Sequence, residues 1–166
     1  AVESAMSSIL GLDIDKLEAV CEQATEGDCF VRVANLLCPG NTAISGHLDA
    51  VSRAEELSLQ AGAMKAVRLQ VAGAFHTSIM QPAVAELEEA LAKVEIQDTR
   101  VPVVSNVDAL PHQDAAEIKA LLARQVVSPV RWEASLRAII GMQVSQCMEV
   151  GVGRVLAGTL KRVDRK

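Results

Sequence analysis

Apolar and polar positions change rhythm several times along the chain, and each change marks an element. "SAMSSILGL" (4–12) is a short apolar run ended by Gly11, the pattern of a strand. "DIDKLEAVCEQA" (13–24) places apolar residues at 14, 17, 20, 21 and 24, which is helical spacing, with Asp13 at the N-cap. "CFVRVANLL" (29–37) alternates as a strand does, "CPGN" (38–41) is turn chemistry, and "TAISG" (42–46) is a second short strand. "HLDAVSRAEELSLQAGA" (47–63) reads as a helix closing near Gly62, and "MKAVRLQV" (64–71) alternates again. Strand, helix, strand, strand, helix, strand is the split βαβ order of a ferredoxin-like sandwich. That architecture hosts many activities and assigns none.

The second half has a different rhythm. "QPAVAELEEALAKVEI" (81–96) predicts a helix with Pro82 in its first turn. "VPVVSNV" (101–107) predicts a buried strand and "DALPHQD" (108–114) a loop. "AAEIKALLARQVV" (115–127) predicts a helix broken by Ser128-Pro129, and "VRWEASLRAIIG" (130–141) another. "QCMEV" (146–150) predicts a strand, followed by "GVG" (151–153) and a helix from Arg154 to about Arg162. Strands alternating with helices imply a parallel sheet covered by helices. Two or three strands are too few for a self-sufficient doubly wound sheet. The expected class is α/β, with one unit over 1–70 and another over 71–166.

Composition narrows the picture. At 166 residues the chain suits one ordinary domain or two small ones. Half the residues are hydrophobic but only 2% are aromatic, with no Tyr, so the core must be built from Ala, Val, Leu, Ile and Met. A net charge of −5 argues against a nucleic-acid binder, which needs a basic footprint. No apolar run approaches the roughly 18–20 residues of a membrane span. "AVESAMSSIL" lacks the basic region of a signal peptide, and its abrupt apolar start suggests a chain that begins mid-domain. Cys21, Cys29, Cys38 and Cys147 show no C-x-x-C spacing and no complementary His pair. They are expected to be free buried thiols rather than metal ligands.

Four stretches are candidates for chemistry. In "VAGAFHTSIM", His76 stands between a predicted strand and a predicted helix. It is either a residue that caps or bridges the loop, or a general base that needs a nucleophile and a group to fix its tautomer. In "QVVSPVRW" (125–132), Pro129 disfavours helix at Ser128, so carbonyls near the helix end, Gln125's included, lose their helical partners. The corner is a packing element anchored by the only Trp, or a freed carbonyl there receives a histidine N–H. Asn35, ahead of Cys38-Pro39-Gly40, is turn chemistry or an amide aimed into a cleft between the halves. Asn106, in Ser105-Asn106-Val107-Asp108 at a strand end, is open in the same way. "EVGVGRVLAG" (149–158) holds G-x-G after a predicted strand, but Leu156 occupies the third glycine position and no strand follows, so a dinucleotide site fails. His47 and His112 lie in polar turn contexts and are expected at the surface.

Taken together, "VAGAFHTSIMQPAV", "VPVVSNVDA", "ARQVVSPVRWE" and "MEVGVGRVLAGTLKRVD" resemble the malonyl-CoA:acyl-carrier-protein transacylase family, in the same order along the chain. "AMSSILGL" and "ANLLCPGNTAISG" resemble the inserted ferredoxin-like subdomain of that family. The resemblance implies the C-terminal part of an α/β-hydrolase-like acyltransferase core, working with a serine on a G-x-S-x-G elbow. Malonyl passes from coenzyme A to that serine and then to the phosphopantetheine thiol of acyl carrier protein, with no cofactor and no metal. His76 matches the general base, and Gln125 the residue whose main-chain carbonyl orients it. Asn35 matches an active-site Asn of the small subdomain, and Asn106 is carried as a substrate-side residue. Phe75 matches the residue that narrows the acyl pocket, where one methyl is worth about 1–3 kcal/mol of discrimination.

The departures shape the expectation. No G-x-S-x-G occurs in the chain, Ser4 stands for a family Gly, and Val152 stands where Pro is usual. The family's elbow, its carboxylate-binding Arg and its oxyanion-hole Gln precede the point matched by Ala1. The expected chain is therefore the C-terminal portion, inactive alone and dependent on an N-terminal half. "NLLCPGN" and "AGTLKRVDRK" look plastid-like. Arg154, Lys161, Arg162, Arg165 and Lys166 form a basic cluster, either a solvated helix end or a contact for an acidic carrier protein. The rival readings are the acyltransferase domain of a polyketide synthase and a non-catalytic ferredoxin-like binding module.

Overall fold

A computed structural model describes residues 2–164. The first half folds as β1 (Ser4–Leu10), α1 (Ile14–Ala24), β2 (Val31–Cys38), β3 (Asn41–His47), α2 (Leu48–Gln60) and β4 (Lys65–Arg68). The four strands form one sheet in the order β2-β3-β1-β4, with every named pair antiparallel. Both helices cover one face. Ile9, Leu17, Val31, Ile44 and Val51 interlock there at almost zero exposure. The alanines at 24, 50 and 54, fully buried in the same cluster, stand where bulk from aromatic side chains is lacking. Met6, Ala34 and Ala43 make a smaller apolar cluster, with Leu69 packed against it. Gly46 is required by contact rather than by dihedral. A Cβ there would lie 2.1 Å from the carbonyl oxygen of Phe30.

Two irregularities in β2 are absent from the sequence rhythm. Its register against β3 shifts between Val33 and Asn35 and again between Leu36 and Cys38. Such bulges bend a strand and re-aim its side chains. On its other edge β2 meets the second half. Val130 donates to the Ala34 carbonyl at 2.8 Å and accepts from Leu36 N–H at 2.8 Å, a parallel bridge centred on Asn35.

The second half holds α3 (Gln81–Ala92), β5 (Val103–Val104), β6 (Pro111–His112), α4 (Ala115–Gln125), α5 (Trp132–Gly141) and α6 (Val155–Val163). Here the expected parallel sheet is corrected. β5 and β6 form a two-residue antiparallel ribbon, the predicted loop 108–114 supplies β6, and "VPVVSNV" is not a buried strand. Val101 and Val103 are exposed. "QCMEV" forms no strand and is largely exposed. The physical reason is pairing: an apolar run becomes a buried strand only with neighbours on both edges and cover on both faces. Among the described residues the first run has only the two-residue β6 on one edge, and the second has no strand neighbour. The helix predicted over 81–96 closes at Lys93, ahead of the β-branched Val94 and Ile96. Among the described residues no helix is long and apolar enough to cross a membrane.

The thiols are free, but not uniformly buried: Cys21 and Cys38 are buried, Cys29 is half-buried and Cys147 is exposed. Burial, with Glu18 and Glu22 nearby, pushes the Cys21 thiol up to about 12.

Candidate active site

The loop after β4 carries His76 in the left-handed region, at φ 63°. For a residue with a Cβ this conformation is costly and needs external support. Support comes from both sides. Buried Thr77 donates its hydroxyl to the Ala74 carbonyl at 2.8 Å and accepts from Ile79 N–H, closing a tight turn around His76. The end of α4 supplies two consecutive carbonyls: Val126 O accepts the His76 backbone N–H at 3.1 Å, and Gln125 O lies 2.9 Å from Nδ1. Those carbonyls are free because Pro129 prevents the helix from continuing.

A carbonyl oxygen only accepts, so the short contact places the ring proton on Nδ1. Nε2 then carries the lone pair, and among the described residues it has no hydrogen-bond partner. The ring is half-buried. A neutral imidazole in this tautomer accepts a proton from a hydroxyl or thiol brought to Nε2. Of the two readings of the Pro129 corner, the geometry is that of a carbonyl receiving the histidine. The packing role is present as well, since Trp132 Nε1 donates to the buried Thr159 hydroxyl at 2.8 Å and ties α5 to α6.

The other expected residues fall in different places. Phe75 precedes the histidine and is exposed. Asn35 is half-buried at the bridge to Val130, joined to the His76 region through the 125–131 segment rather than by contact. Asn106 donates Nδ2–H to the Gln125 side-chain Oε1 at 2.9 Å, and its carbonyl accepts Arg131 N–H at 2.8 Å. With His112, Leu121 and Gln125 it borders a cavity of about 220 Å³. Arg162 donates to the Pro39 carbonyl at 2.8 Å and so staples α6 to the β2–β3 turn. Arg154 and Lys161 are exposed, and Arg165 and Lys166 lie outside the described residues.

Two histidines are more engaged than the sequence implied. His47 Nδ1 accepts Phe30 N–H at 3.2 Å, and the two rings meet edge to face at 4.9 Å. His112 lies between carboxylates, with Nε2 3.1 Å from Asp108 and Nδ1 3.2 Å from Glu117. The hydrogen bond to Glu117, then that to Asp108, raises its pKa against the opposing effect of burial. Burial acts to raise the Asp108 carboxyl, but Leu110 N–H and His112 outweigh it and hold it below its ordinary value. Sequence reasoning missed this cluster, whose only signal was acidic residues four before and five after the histidine. It also missed Glu149. Beyond the turn at Gly151 and Gly153, its carboxylate accepts Leu156 N–H at 3.1 Å and Ala157 N–H at 2.9 Å, capping α6.

No protein-family model matches the chain. Curated relatives do. The malonyl CoA-acyl carrier protein transacylase of Bacillus subtilis is 43% identical over 166 residues, covering 100% of this chain and 52% of the relative. That of Salmonella typhimurium is 40% identical over 158 residues, covering 95% and 51%. Among solved structures, the malonyl CoA-acyl carrier protein transacylase of Coxiella burnetii superposes with a TM-score of 0.95 at 40% identity, over 99% of this chain and 52% of that one. A malonyl-transacylase solved in complex with its type II polyketide-synthase acyl-carrier protein superposes at 0.94 with 36% identity, over 98% and 52%. This chain is therefore homologous to malonyl-CoA:acyl-carrier-protein transacylases over nearly all of its length, and spans about half of theirs.

Proposed function

We propose that the chain is the C-terminal portion of a malonyl-CoA:acyl-carrier-protein transacylase of fatty-acid synthesis, and that His76 is its general base. The observation that carries this reading is the 2.9 Å contact between His76 Nδ1 and the Gln125 carbonyl, which leaves Nε2 as the proton acceptor. The strand order β4-β1-β3-β2, with α1 and α2 on one face, supports taking 1–70 as the ferredoxin-like subdomain. Residues 71–166 are then the C-terminal part of the α/β-hydrolase-like core.

In this mechanism a serine from outside the chain loses its hydroxyl proton to Nε2 as its oxygen attacks the malonyl thioester carbonyl. The carbon–sulfur bond breaks, and the imidazolium returns the proton to the departing coenzyme A sulfur. The phosphopantetheine thiol of the carrier then gives its proton to Nε2, attacks the acyl-serine, and the serine leaves reprotonated. No step calls for a cofactor. Asn35 and Phe75 border the acyl group, and Arg154, Lys161 and Arg162 lie on the side offered to the acidic carrier. A relative's structure with its carrier protein supports that partner. The relatives named above are bacterial, and a plastid location rests on the resemblance of "NLLCPGN" and "AGTLKRVDRK" alone.

A second reading, service to a polyketide synthase, is favoured by that same neighbour, and carrier preference separates the two. The test is malonyl transfer from malonyl-CoA to holo-carrier protein by the full-length protein containing this chain. His76→Ala is expected to slow acyl-serine formation by about 10²–10⁴-fold, and the 166-residue chain alone is expected to transfer nothing. Unchanged transfer by His76→Ala, or turnover by the isolated chain, overturns the reading.

A further inference from the structure

We infer that Asn106 is a positioning residue that aims the base through Gln125; this rests on the reading of His76 just given. The 125–131 corner carries the support for the histidine, yet its start is weakly held. Past Gln125 the helix continues only through long bonds, Val126 N–H to Ala123 O at 3.3 Å and Val127 N–H to Arg124 O at 3.2 Å. A helix end held this way frays, and the direction of its last carbonyls is set by ties from outside.

Asn106 supplies such ties at both ends of the corner. Its side-chain amide donates to Gln125 Oε1 at 2.9 Å, and its carbonyl accepts Arg131 N–H at 2.8 Å. Asn106 is itself fixed by the turn that follows β5. Ser105 N–H donates to Leu110 O at 3.0 Å, Ala109 N–H donates to Ser105 O at 2.9 Å, and the Ser105 hydroxyl accepts Val107 N–H. Gln125 is thereby held by its side chain while its main-chain oxygen receives the imidazole. That tie uses one of the two Nδ2–H donors of Asn106. The positioning role is thus separate from the substrate contact expected from sequence. The Gln125 carbonyl is the one hydrogen-bond partner of the His76 ring among the described residues, so a carbonyl that swings away no longer fixes the tautomer presented at Nε2.

The test uses the full-length protein with Asn106→Leu, which removes the tie, and Asn106→Asp, which accepts from Gln125 once its amide turns over. Asn106→Leu is expected to lower kcat about tenfold, the size of one well-placed hydrogen bond, with KM for malonyl-CoA held within about twofold. Asn106→Asp is expected to recover most of that loss. Nitrogen-15 spectra of His76 are expected to show the Nδ1–H tautomer in the parent and Asn106→Asp, and a mixture in Asn106→Leu. Gln125→Leu keeps the main-chain carbonyl and removes the side-chain amide that accepts from Asn106, so it is expected to match Asn106→Leu, and the double variant to be no worse than either. Should Asn106→Leu fail to fold, Gln125→Leu carries the same comparison of spectra and rates. A raised KM with an unchanged His76 spectrum, or additive losses in the double variant, overturns the inference. Transfer that survives His76→Ala instead overturns the catalytic reading, while the tautomer spectra still decide whether Asn106 orients the ring.

Discussion

Trp132 Nε1 donates to the Thr159 hydroxyl at 2.8 Å, and that hydroxyl in turn donates to the Leu156 carbonyl at 2.8 Å. The only Trp of the chain thus joins α5 to a buried position of α6, next to the strand edge at Asn35. The two ends of this bond are not equivalent. Trp132→Phe keeps a smaller aromatic ring and leaves Thr159 bonded to Leu156, so the lost hydrogen bond should cost about 0.5–1.5 kcal/mol. Thr159→Val strands the half-buried indole N–H, and an unsatisfied donor removed from water costs about 1–3 kcal/mol. Urea unfolding of the full-length variants should rank Thr159→Val as the less stable, and equal midpoints would remove the asymmetry.

His76 provides a test of stored strain. His76→Ala and His76→Gly both lose the Gln125 contact, so their difference isolates the backbone at φ 63°. Glycine accepts that region freely, whereas a Cβ there costs roughly 1–2 kcal/mol. The Gly variant is expected to be about 1 kcal/mol more stable than the Ala variant, with acyl transfer slowed alike in both. Thermal melts of the pair measure it directly, and an Ala variant as stable as the Gly variant counts against strain at this site.

How much of this was legible follows from where each force acts. The first half was readable because alternation, Pro39-Gly40 and the helical spacing of 13–24 are local signals that agree with the fold. The bulges of β2 were not, because two shifted registers leave the apolar rhythm of "VRVANLL" unaltered. "VPVVSNV" and "QCMEV" misled for the opposite reason: their composition asks for a sheet whose neighbours are not among the described residues. At the site, Pro129 announced that carbonyls would be freed, but not that Gln125 O would meet His76, 49 residues away in sequence. The left-handed φ of His76 and the tie from Asn106 leave no mark in a single sequence.

Between Asp108 and Glu117, His112 is a pH-dependent fastening for the β5–β6 ribbon. Its folded pKa lies above the ordinary value of about 6.5. Its contribution is therefore complete below about 6.5 and fades as pH rises through the raised folded value. Asp108 acts in the other direction: its pKa is depressed, so its contribution is present above the ordinary carboxylate value and is lost as pH falls through the depressed one. Amide exchange over residues 108–117, corrected for intrinsic rates, should show weaker protection at pH 9 than at pH 6 in the parent. His112→Gln should remove that difference, and a parent with equal protection at both values rules the fastening out.

The two halves also differ in what they leave uncovered. Residues 1–70 bury a shared core between sheet and helices, whereas Val94, Val101, Val103, Leu110, Val144, Met148, Val150, Val155 and Leu156 are all exposed in the second half. Each such side chain gains about 1.5–3 kcal/mol when fully covered, so cover for this many is worth a substantial share of a domain's stability. If the other half of the proposed enzyme supplies the cover, the 166-residue chain alone should associate or bind a hydrophobic dye. Limited proteolysis should cut it first after residue 93, while 4–68 persists. Adding the N-terminal half in trans should suppress both dye binding and cleavage. A monomeric chain that melts in a single cooperative transition, binds no dye and resists protease across 94–156 is the result that defeats this prediction.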